Sequence, residues 1–156
     1  SKLISAVDEV NRKQRQYFLN KILDRFGEDL TGLIFALWGL SFKPGTDDMR
    51  EAPSIYLIEE LKNRGASIRV YDPKAMEVSE KQYFKKSLVF YGKDKYEILK
   101  KADALILLTE WKEFRSPDFE KMKEAMDNNV IFDGRNQYGN FNLKRKGFEY
   151  FQVGKK

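Results

Sequence analysis

The sequence predicts an α/β fold, an open and mostly parallel sheet with helices on both faces. Two short, continuous apolar runs, residues 33–40 and 104–108, are typical of strands that are buried on both sides. Segments with helical spacing of apolar residues alternate with such runs, which is the pattern of βαβ units. The chain has 156 residues, of which 42% are hydrophobic, and this is enough to build the core of one domain.

The first predicted element is a long helix. Apolar side chains recur at intervals of three and four from Leu3 to Phe26, and Gly27 is a suitable helix end. A helix of this length with no domain before it is what remains of a connector between two domains, and we interpret it so. A simple N-terminal packing helix is the alternative.

A βαβ unit follows this helix. The run over residues 33–40 predicts its first strand, Pro53 is placed for the first turn of its helix, and Gly65 for the helix end. Ser67–Tyr71 predicts the second strand.

Asp72 and Pro73 then turn the chain. An acidic residue at this place binds a ribose hydroxyl in many dinucleotide-binding folds. The glycine pattern G-x-G-x-x-G is missing, however, since Gly39 and Gly45 are the only glycines of the preceding loop. We therefore interpret Asp72 as a turn residue.

The second half of the chain continues the alternation of helix and strand. The predicted elements are a short helix and an edge strand within 74–92, a helix over 96–102, a strand over 104–108, a helix over 117–126, a strand over 130–132 and a final edge strand over 148–153. Trp111 is interpreted as a core or lid aromatic rather than a ligand-stacking residue.

Three cations lie in loops that follow predicted strands. Lys43 and Arg50 follow the first strand, and Arg135 follows the strand over 130–132. Parallel strands bring these loops to the same sheet edge, where ligands bind in open α/β sheets. Arginine and lysine there, next to a helix N-terminus, favour a phosphate-bearing ligand. Asp47 and Asp48 are predicted to cap the following helix and to orient the cations.

Composition excludes several kinds of site and partner. The chain has no cysteine and no histidine, which excludes disulfides, thiolate metal sites and cysteine nucleophiles, and we predict no metal site and no catalytic residue.

The net charge of +5 would attract a diphosphate or a nucleic acid. The run 144–146 has no interleaved aromatics, so we interpret it as a solvated face and expect no nucleic-acid partner. No apolar run approaches the roughly 20 residues of a membrane span, and residues 1–4 lack leader features, so we expect a cytoplasmic protein without a membrane partner.

Four motifs follow one another along the chain, FKPGTDDMREAPS at 42–54, VYDP at 70–73, LLTEW at 107–111 and FDGRN at 132–136. Together they resemble the C-terminal domain of UDP-glucose 6-dehydrogenases, which bind their nucleotide sugar through this domain. The stretch VNRKQ at residues 10–14 resembles the end of the central helix that joins the two halves of these enzymes. The resemblance covers about residues 10–156.

The resemblance implies a Rossmann-like fold with two parts, residues 1–27 as the end of the connecting helix and residues 28–156 as the UDP-sugar-binding domain. It implies that Phe42, Lys43 and Arg135 contact UDP-glucose, and that Arg50 reaches the diphosphate of NAD. Enzymes of this family oxidise UDP-glucose to UDP-glucuronate in two hydride transfers to NAD, through an intermediate on a cysteine.

Neither that cysteine nor the glycine-rich NAD site is present in this sequence. The chain is therefore expected to be the C-terminal part of a larger enzyme, inactive by itself, whose partners are the N-terminal NAD domain and a second copy in a homodimer. The alternatives are the same domain of a GDP-mannose or UDP-N-acetyl amino sugar dehydrogenase, and a non-catalytic nucleotide-binding module.

Overall fold

A computed structural model describes residues 2–154, except for the side chains of residues 2–5 and 7. Over these residues the chain folds into four α-helices and six strands, joined by loops that include three short 3-10 turns. The helices are α1 Lys2–Phe26, α2 Pro53–Asn63, α3 Met76–Gln82 and α4 Phe119–Ala125. The strands are β1 Ile34–Trp38, β2 Ser67–Tyr71, β3 Phe90–Tyr91, β4 Ala104–Leu107, β5 Val130–Asp133 and β6 Glu149–Gln152. The 3-10 turns are Glu97–Leu99, Lys112–Phe114 and Gly139–Phe141.

The six strands form one parallel sheet in the order β3-β2-β1-β4-β5-β6. Strand β1 is central, with Phe35 opposite Ile68 of β2 and Ala104 of β4. The chain builds outward from β1 in one direction and then from β4 in the other, which is the doubly wound arrangement of Rossmann folds. Loops on the two sides of this reversal leave a crevice at the carboxyl ends of β1 and β4.

Successive side chains of each central strand enter two different cores, because strand side chains alternate between the two faces of a sheet. Phe35 and Leu37 of β1 pack in the core beneath α1, α2 and α3, whereas Ala36 and Trp38 pack in the core that contains Met122 of α4. This explains the continuous apolar run of β1, and it confirms the predicted mostly parallel sheet with helices on both faces.

Among the side chains of α1 that the structure describes, those that pack against the sheet lie in its second half. Phe18, Leu19, Ile22 and Leu23 are buried, whereas residues 8–14 are exposed. Residues 8–14 therefore extend past the core and along the carboxyl edge of the sheet, where they form part of one wall of the groove described below.

The prediction of a helix over residues 96–102 is wrong. Only the 3-10 turn Glu97–Leu99 forms, and Asp94 accepts hydrogen bonds from the backbone N–H groups of Tyr96 and Glu97 at its start. Lys101 then adopts a φ of 59°, and its N–H donates to the carbonyl of Ala125 at 2.7 Å. A left-handed residue ends the helical path, so the chain turns directly into β4.

The prediction that Asp47 and Asp48 cap α2 is also wrong. The N-cap is Ala52, which forms no side-chain capping bond, and Pro53 follows it in the first turn. The N–H of Ala52 donates to the carbonyl of Met49, so a turn separates the aspartates from the helix. Asp48 instead accepts hydrogen bonds from Arg50, and so it orients that cation, as predicted.

Candidate functional site

Three loops lie together at the carboxyl edge of the sheet, and buried aspartates hold the backbones of two of them, the loops after β1 and β5. The loops follow β1, β4 and β5, and the aspartates are Asp72 at the end of β2 and Asp133 at the end of β5. Both carboxylates are fully buried, so each needs several hydrogen-bond donors to replace water.

Asp72 links β2 to the loop after β1. Its Oδ2 accepts from the backbone N–H of Leu40 at 2.7 Å and of Ser41 at 3.1 Å, and from the indole N–H of Trp111 at 3.3 Å. Its Oδ1 accepts from the N–H groups of Lys74 and Ala75, both at 2.8 Å. The interpretation of Asp72 as a turn residue is confirmed, and the bonds across to Leu40 and Ser41 give it a second role that the sequence pattern did not indicate.

Other bonds complete the anchoring of the loop after β1. The hydroxyl of Thr109 donates to the carbonyl of Ser41 at 2.7 Å, and the hydroxyl of Ser54 donates to the carbonyl of Leu40 at 2.6 Å. Gly39 begins the loop with a φ of 102°, and a Cβ there would lie 2.5 Å from Oγ1 of Thr109. The backbone before Phe42 is thus held by Asp72, Ser54 and Thr109, while Phe42 itself is 55% exposed.

Asp133 organises the loop after β5 in the same way. Its Oδ1 accepts from the N–H of Arg135 at 3.0 Å, and its Oδ2 accepts from the N–H groups of Gln137 at 2.7 Å and Tyr138 at 2.8 Å. The hydroxyl of Tyr150 on β6 also donates to Oδ2, at 2.6 Å. Burial, together with this bond to the Asp133 carboxylate, raises the pKa of Tyr150 well above its usual range.

Arg135 is oriented by the loop after β4. Its Nε donates to Oε2 of Glu110 at 2.6 Å, and both side chains remain partly open to solvent. Gly134 precedes it and lies so close to β4 that a Cβ would be 2.8 Å from the carbonyl oxygen of Leu107. The missing side chain lets the loop pass over the end of β4 and bring Arg135 to the edge of the crevice.

A groove of about 700 Å³ lies between α1 and these loops. Two of the residues implied by the motifs line it, Phe42 from the loop after β1 and Arg135 from the loop after β5. The volume lies within the usual range of small-molecule sites, roughly 300 to 1,000 Å³. The lining residues are Asp8, Asn11, Gln14, Arg15, Phe18, Phe42, Glu51, Pro53, Tyr56, Leu57, Leu108, Gly134, Arg135 and Val153.

Lys43 and Arg50 do not line this groove. Lys43 is exposed, and Arg50 has a side chain that is 83% exposed. The guanidinium of Arg50 donates to Asp48 at 3.1 and 2.9 Å, and these bonds lower the pKa of the Asp48 carboxyl to about 2. The three predicted cations therefore do not line one common groove.

The groove has a wall that the sequence interpretation missed. Arg15 of α1 and Tyr56 of α2 line it, and so does Glu51, which adopts a φ of 61° just before α2. Left-handed backbone in a non-glycine residue costs free energy, and such residues cluster at functional sites. For α1 the sequence did contain a signal. Asp8, Asn11 and Arg15 stand at helical spacing and continue the apolar stripe of Phe18, which indicates that one side of the helix changes from apolar to polar.

Among the described residues, no group of three or more acidic side chains is placed to hold a metal ion. Within that part of the chain, no helix has the length and apolar character to cross a membrane. Trp111 is half-buried and packs at the border of the core beneath α4, as interpreted, and residues 144–146 are exposed.

Comparison with known proteins gives the family. A family profile described as "UDP-glucose/GDP-mannose dehydrogenase family, UDP binding domain" matches residues 36–140. The chain belongs to this family. Its recognition as the C-terminal, UDP-binding domain is thereby confirmed, and so is the Rossmann-like fold.

Full-length relatives are much longer than this chain. A UDP-glucose 6-dehydrogenase of Pseudomonas aeruginosa is 37% identical over 158 aligned positions, which cover 99% of this chain and 35% of that protein. The chain thus spans about a third of the length of this relative.

Solved structures of the family share the fold. The structure of a UDP-glucose dehydrogenase from Pyrobaculum islandicum matches with a TM-score of 0.78 and 30% identity, covering 96% of this chain and 31% of that one. A UDP-D-ManNAc dehydrogenase from Pyrococcus horikoshii matches with a TM-score of 0.67 and 25% identity, covering 90% and 30%.

Proposed function

We propose that this chain is the UDP-glucose-binding domain of an NAD-dependent UDP-glucose 6-dehydrogenase, and that the sugar nucleotide binds in the groove between α1 and the sheet edge. Phe42 and Arg135 contact it there, and Lys43 contacts it from the rim. Residues 1–27 are the end of the connecting helix and residues 28–156 the binding domain. The whole enzyme, which works as a homodimer in the cytoplasm, carries out the oxidation with residues that this chain lacks.

One observation carries the proposal. Phe42 and Arg135 are far apart in the sequence, yet they line the same groove, and each belongs to a loop that a buried aspartate holds in place. A rigid aromatic side chain and a guanidinium at one groove are suited to a ligand with flat or apolar faces and anionic oxygens. A nucleoside diphosphate sugar has both.

The residues near Arg50 are suited to a single contact with NAD and not to a complete dinucleotide site. The loop after β1 contains just two glycines, Gly39 and Gly45, so it lacks the glycine-rich turn that holds a dinucleotide diphosphate. Arg50 is an exposed cation directed by Asp48, which suits a contact with a phosphate held mainly by another domain. We therefore propose Arg50 as a cofactor contact and no further NAD-binding residue in this chain.

Calorimetric titration of UDP-glucose tests the site. Arg135→Gln is expected to lower the affinity of the chain at least about tenfold, because a lost charge-assisted hydrogen bond costs roughly 1.5–3 kcal/mol. Phe42→Ala is expected to lower it several-fold. Arg145→Gln is the matched control, since Arg145 is exposed and outside the groove, and it is expected to leave the affinity unchanged. Equal affinities of all variants would refute the proposed site.

The sugar is tested with the full-length enzyme. We expect two NADH for each UDP-glucose consumed, which a dehydrogenase of this proposed type requires. The similarity to a UDP-D-ManNAc dehydrogenase supports a second candidate, the same domain of an enzyme for a UDP-N-acetyl amino sugar. A panel of UDP-glucose, UDP-N-acetylmannosamine and GDP-mannose separates the candidates, and turnover of none would favour a non-catalytic nucleotide-binding module.

A further inference from the structure

Arg15 stands on a polar stripe of α1 that faces the groove. Asp8, Asn11 and Arg15 follow one another at intervals of three and four, so they share one side of the helix. The same side continues into Phe18, which lines the groove, and Ile22, which is buried in the core. The stripe changes from apolar to polar where α1 leaves the core and passes the carboxyl edge of the sheet.

The guanidinium of Arg15 contacts an aromatic ring but has no anionic partner in the part of the chain that the structure describes. Its central carbon lies 5.5 Å from the ring centroid of Tyr56, in a cation–π contact. Its Nε is buried and has no hydrogen-bond acceptor among the described residues, and none of those residues forms an ion pair with it. By contrast, Arg12 on the same helix pairs with Glu9 at 2.6 Å, and Arg135 across the groove pairs with Glu110 at 2.6 Å.

Among the described residues that line the groove, Arg15 is therefore the cation whose charge no carboxylate balances. Leaving a buried donor unpaired costs roughly 1–3 kcal/mol, more for a charged group, and an acceptor supplied by a ligand recovers part of that cost. A guanidinium fixed by an aromatic ring loses little freedom when it binds, and its planar fork matches two phosphate oxygens.

The other charges of the groove indicate what the anion is attached to. Asp8 and Glu51 also line the groove, and carboxylates repel a free anion but accept hydrogen bonds from hydroxyl groups. Cations on opposite walls, with carboxylates among them, suit a ligand that has both phosphates and sugar hydroxyls.

We propose that Arg15 binds the diphosphate of a UDP-sugar from the α1 wall of the groove, while Arg135 binds the same ligand from the sheet edge. This inference rests on the proposed function of the groove. Its consequence is that the ligand bridges α1 and the sheet, so binding fixes the connecting helix against the domain.

Competition experiments on the chain test this role. UDP binding is measured by calorimetry, and inorganic pyrophosphate and uridine are then used as competitors at millimolar concentration. Arg15→Gln is expected to weaken binding of UDP and competition by pyrophosphate at least about tenfold, and to leave competition by uridine within about twofold. Arg15→Lys keeps the charge but not the fork, and an intermediate loss is expected.

Arg12→Gln is the matched control. Arg12 lies one turn away on the same helix, outside the groove, and its loss is expected to change neither UDP nor pyrophosphate binding. Thermal unfolding of each variant checks that the fold is intact. If Arg15→Gln does not fold, the Arg15→Lys variant decides, because it keeps a long apolar stem over Tyr56.

The outcomes separate this inference from the proposed function. If Arg135→Gln weakens UDP binding and Arg15→Gln does not, the role of Arg15 is refuted and the groove remains the proposed site. Equal weakening of UDP and uridine by Arg15→Gln would also refute it, because a displaced helix and not a lost phosphate contact would then be the cause. If the unchanged chain binds neither UDP nor UDP-glucose, both proposals fail.

Discussion

Replacing Asp72 by asparagine would weaken the anchor of the loop that carries Phe42. The carboxylate accepts four backbone N–H bonds, two on Oδ2 from Leu40 and Ser41 and two on Oδ1 from Lys74 and Ala75. An asparagine has one acceptor oxygen, so its amide nitrogen must face one of these pairs. Either orientation leaves two backbone N–H donors facing another donor, and the Oδ2 side would add the indole N–H of Trp111.

The cost follows from how buried these donors are. Leu40, Ser41 and Ala75 are buried, whereas Lys74 is exposed, so the amide nitrogen is expected to face Lys74 and Ala75, where water can reach one donor. One fully unpaired buried donor costs roughly 1–3 kcal/mol. The bonds that the amide oxygen still accepts are weaker than those of a carboxylate, which increases the loss. We therefore expect the free energy of unfolding to fall by about 2–3 kcal/mol.

Urea unfolding measures this loss, and UDP-glucose titration measures its effect on the site. Asp72→Asn is expected to shift the urea midpoint down without a change of slope, and to weaken UDP-glucose binding because a neutral amide oxygen holds the backbone before Phe42 less firmly than the carboxylate does. Asp47→Asn is the matched control on the same loop, since Asp47 is exposed, and it is expected to stay within about 0.5 kcal/mol of the unchanged chain. If Asp72→Asn is as stable as that control, the reasoning from its four bonds is refuted.

Two further results are expected. Gly39→Ala is expected to destabilise the chain far more than Gly45→Ala. At Gly39 a φ of 102° is combined with a Cβ position 2.5 Å from Oγ1 of Thr109, whereas at Gly45 φ is 87° but nothing lies within 4 Å, so only the conformational cost of about 1–2 kcal/mol applies. Similar urea midpoints of the two variants would contradict this. The second result concerns pH. The pKa of Asp48 in the folded chain is lowered from 3.8 to about 2, so the bond between Asp48 and Arg50 stabilises the folded chain at pH values above 3.8. This stabilisation is lost as the pH falls toward 2. An NMR titration of the Asp48 carboxyl is expected to show a midpoint near 2 that rises toward 3.8 in Arg50→Ala, and an unchanged midpoint would contradict the assignment to Arg50.

Much of the architecture could be predicted because it depends on short-range pattern. The apolar runs of β1 and β4 predict strands covered on both faces, and the residues that follow parallel strands must lie at one sheet edge. The same topology placed Lys43, Arg50 and Arg135 at one sheet edge, whereas the role of Phe42 was implied only by the family resemblance. The prediction of a helix over 96–102 was wrong, because the spacing of apolar residues does not reveal that Lys101 adopts a left-handed backbone conformation.

Side-chain direction within the loops could not be predicted in this way. Lys43 follows Phe42 directly, yet only Phe42 lines the groove, and Arg50 is turned outward by its bonds to Asp48. Successive loop residues differ in backbone angles, so their positions in the sequence do not determine which of them face a common cavity.

The sequence by itself determined the fold class, the family and the edge of the sheet where the ligand is proposed to bind, because hydrophobic periodicity and contiguous motifs are local properties of a chain. Only the tertiary structure decided how the groove is closed. Packing of Phe18 and Ile22 on the sheet lays the polar half of α1 along the carboxyl edge and brings Arg15 to the same groove as Arg135. The bonds of Asp72 and Asp133 to distant backbone N–H groups likewise exist only once the strands are assembled, since each carboxylate is buried by residues that the chain brings together from different loops.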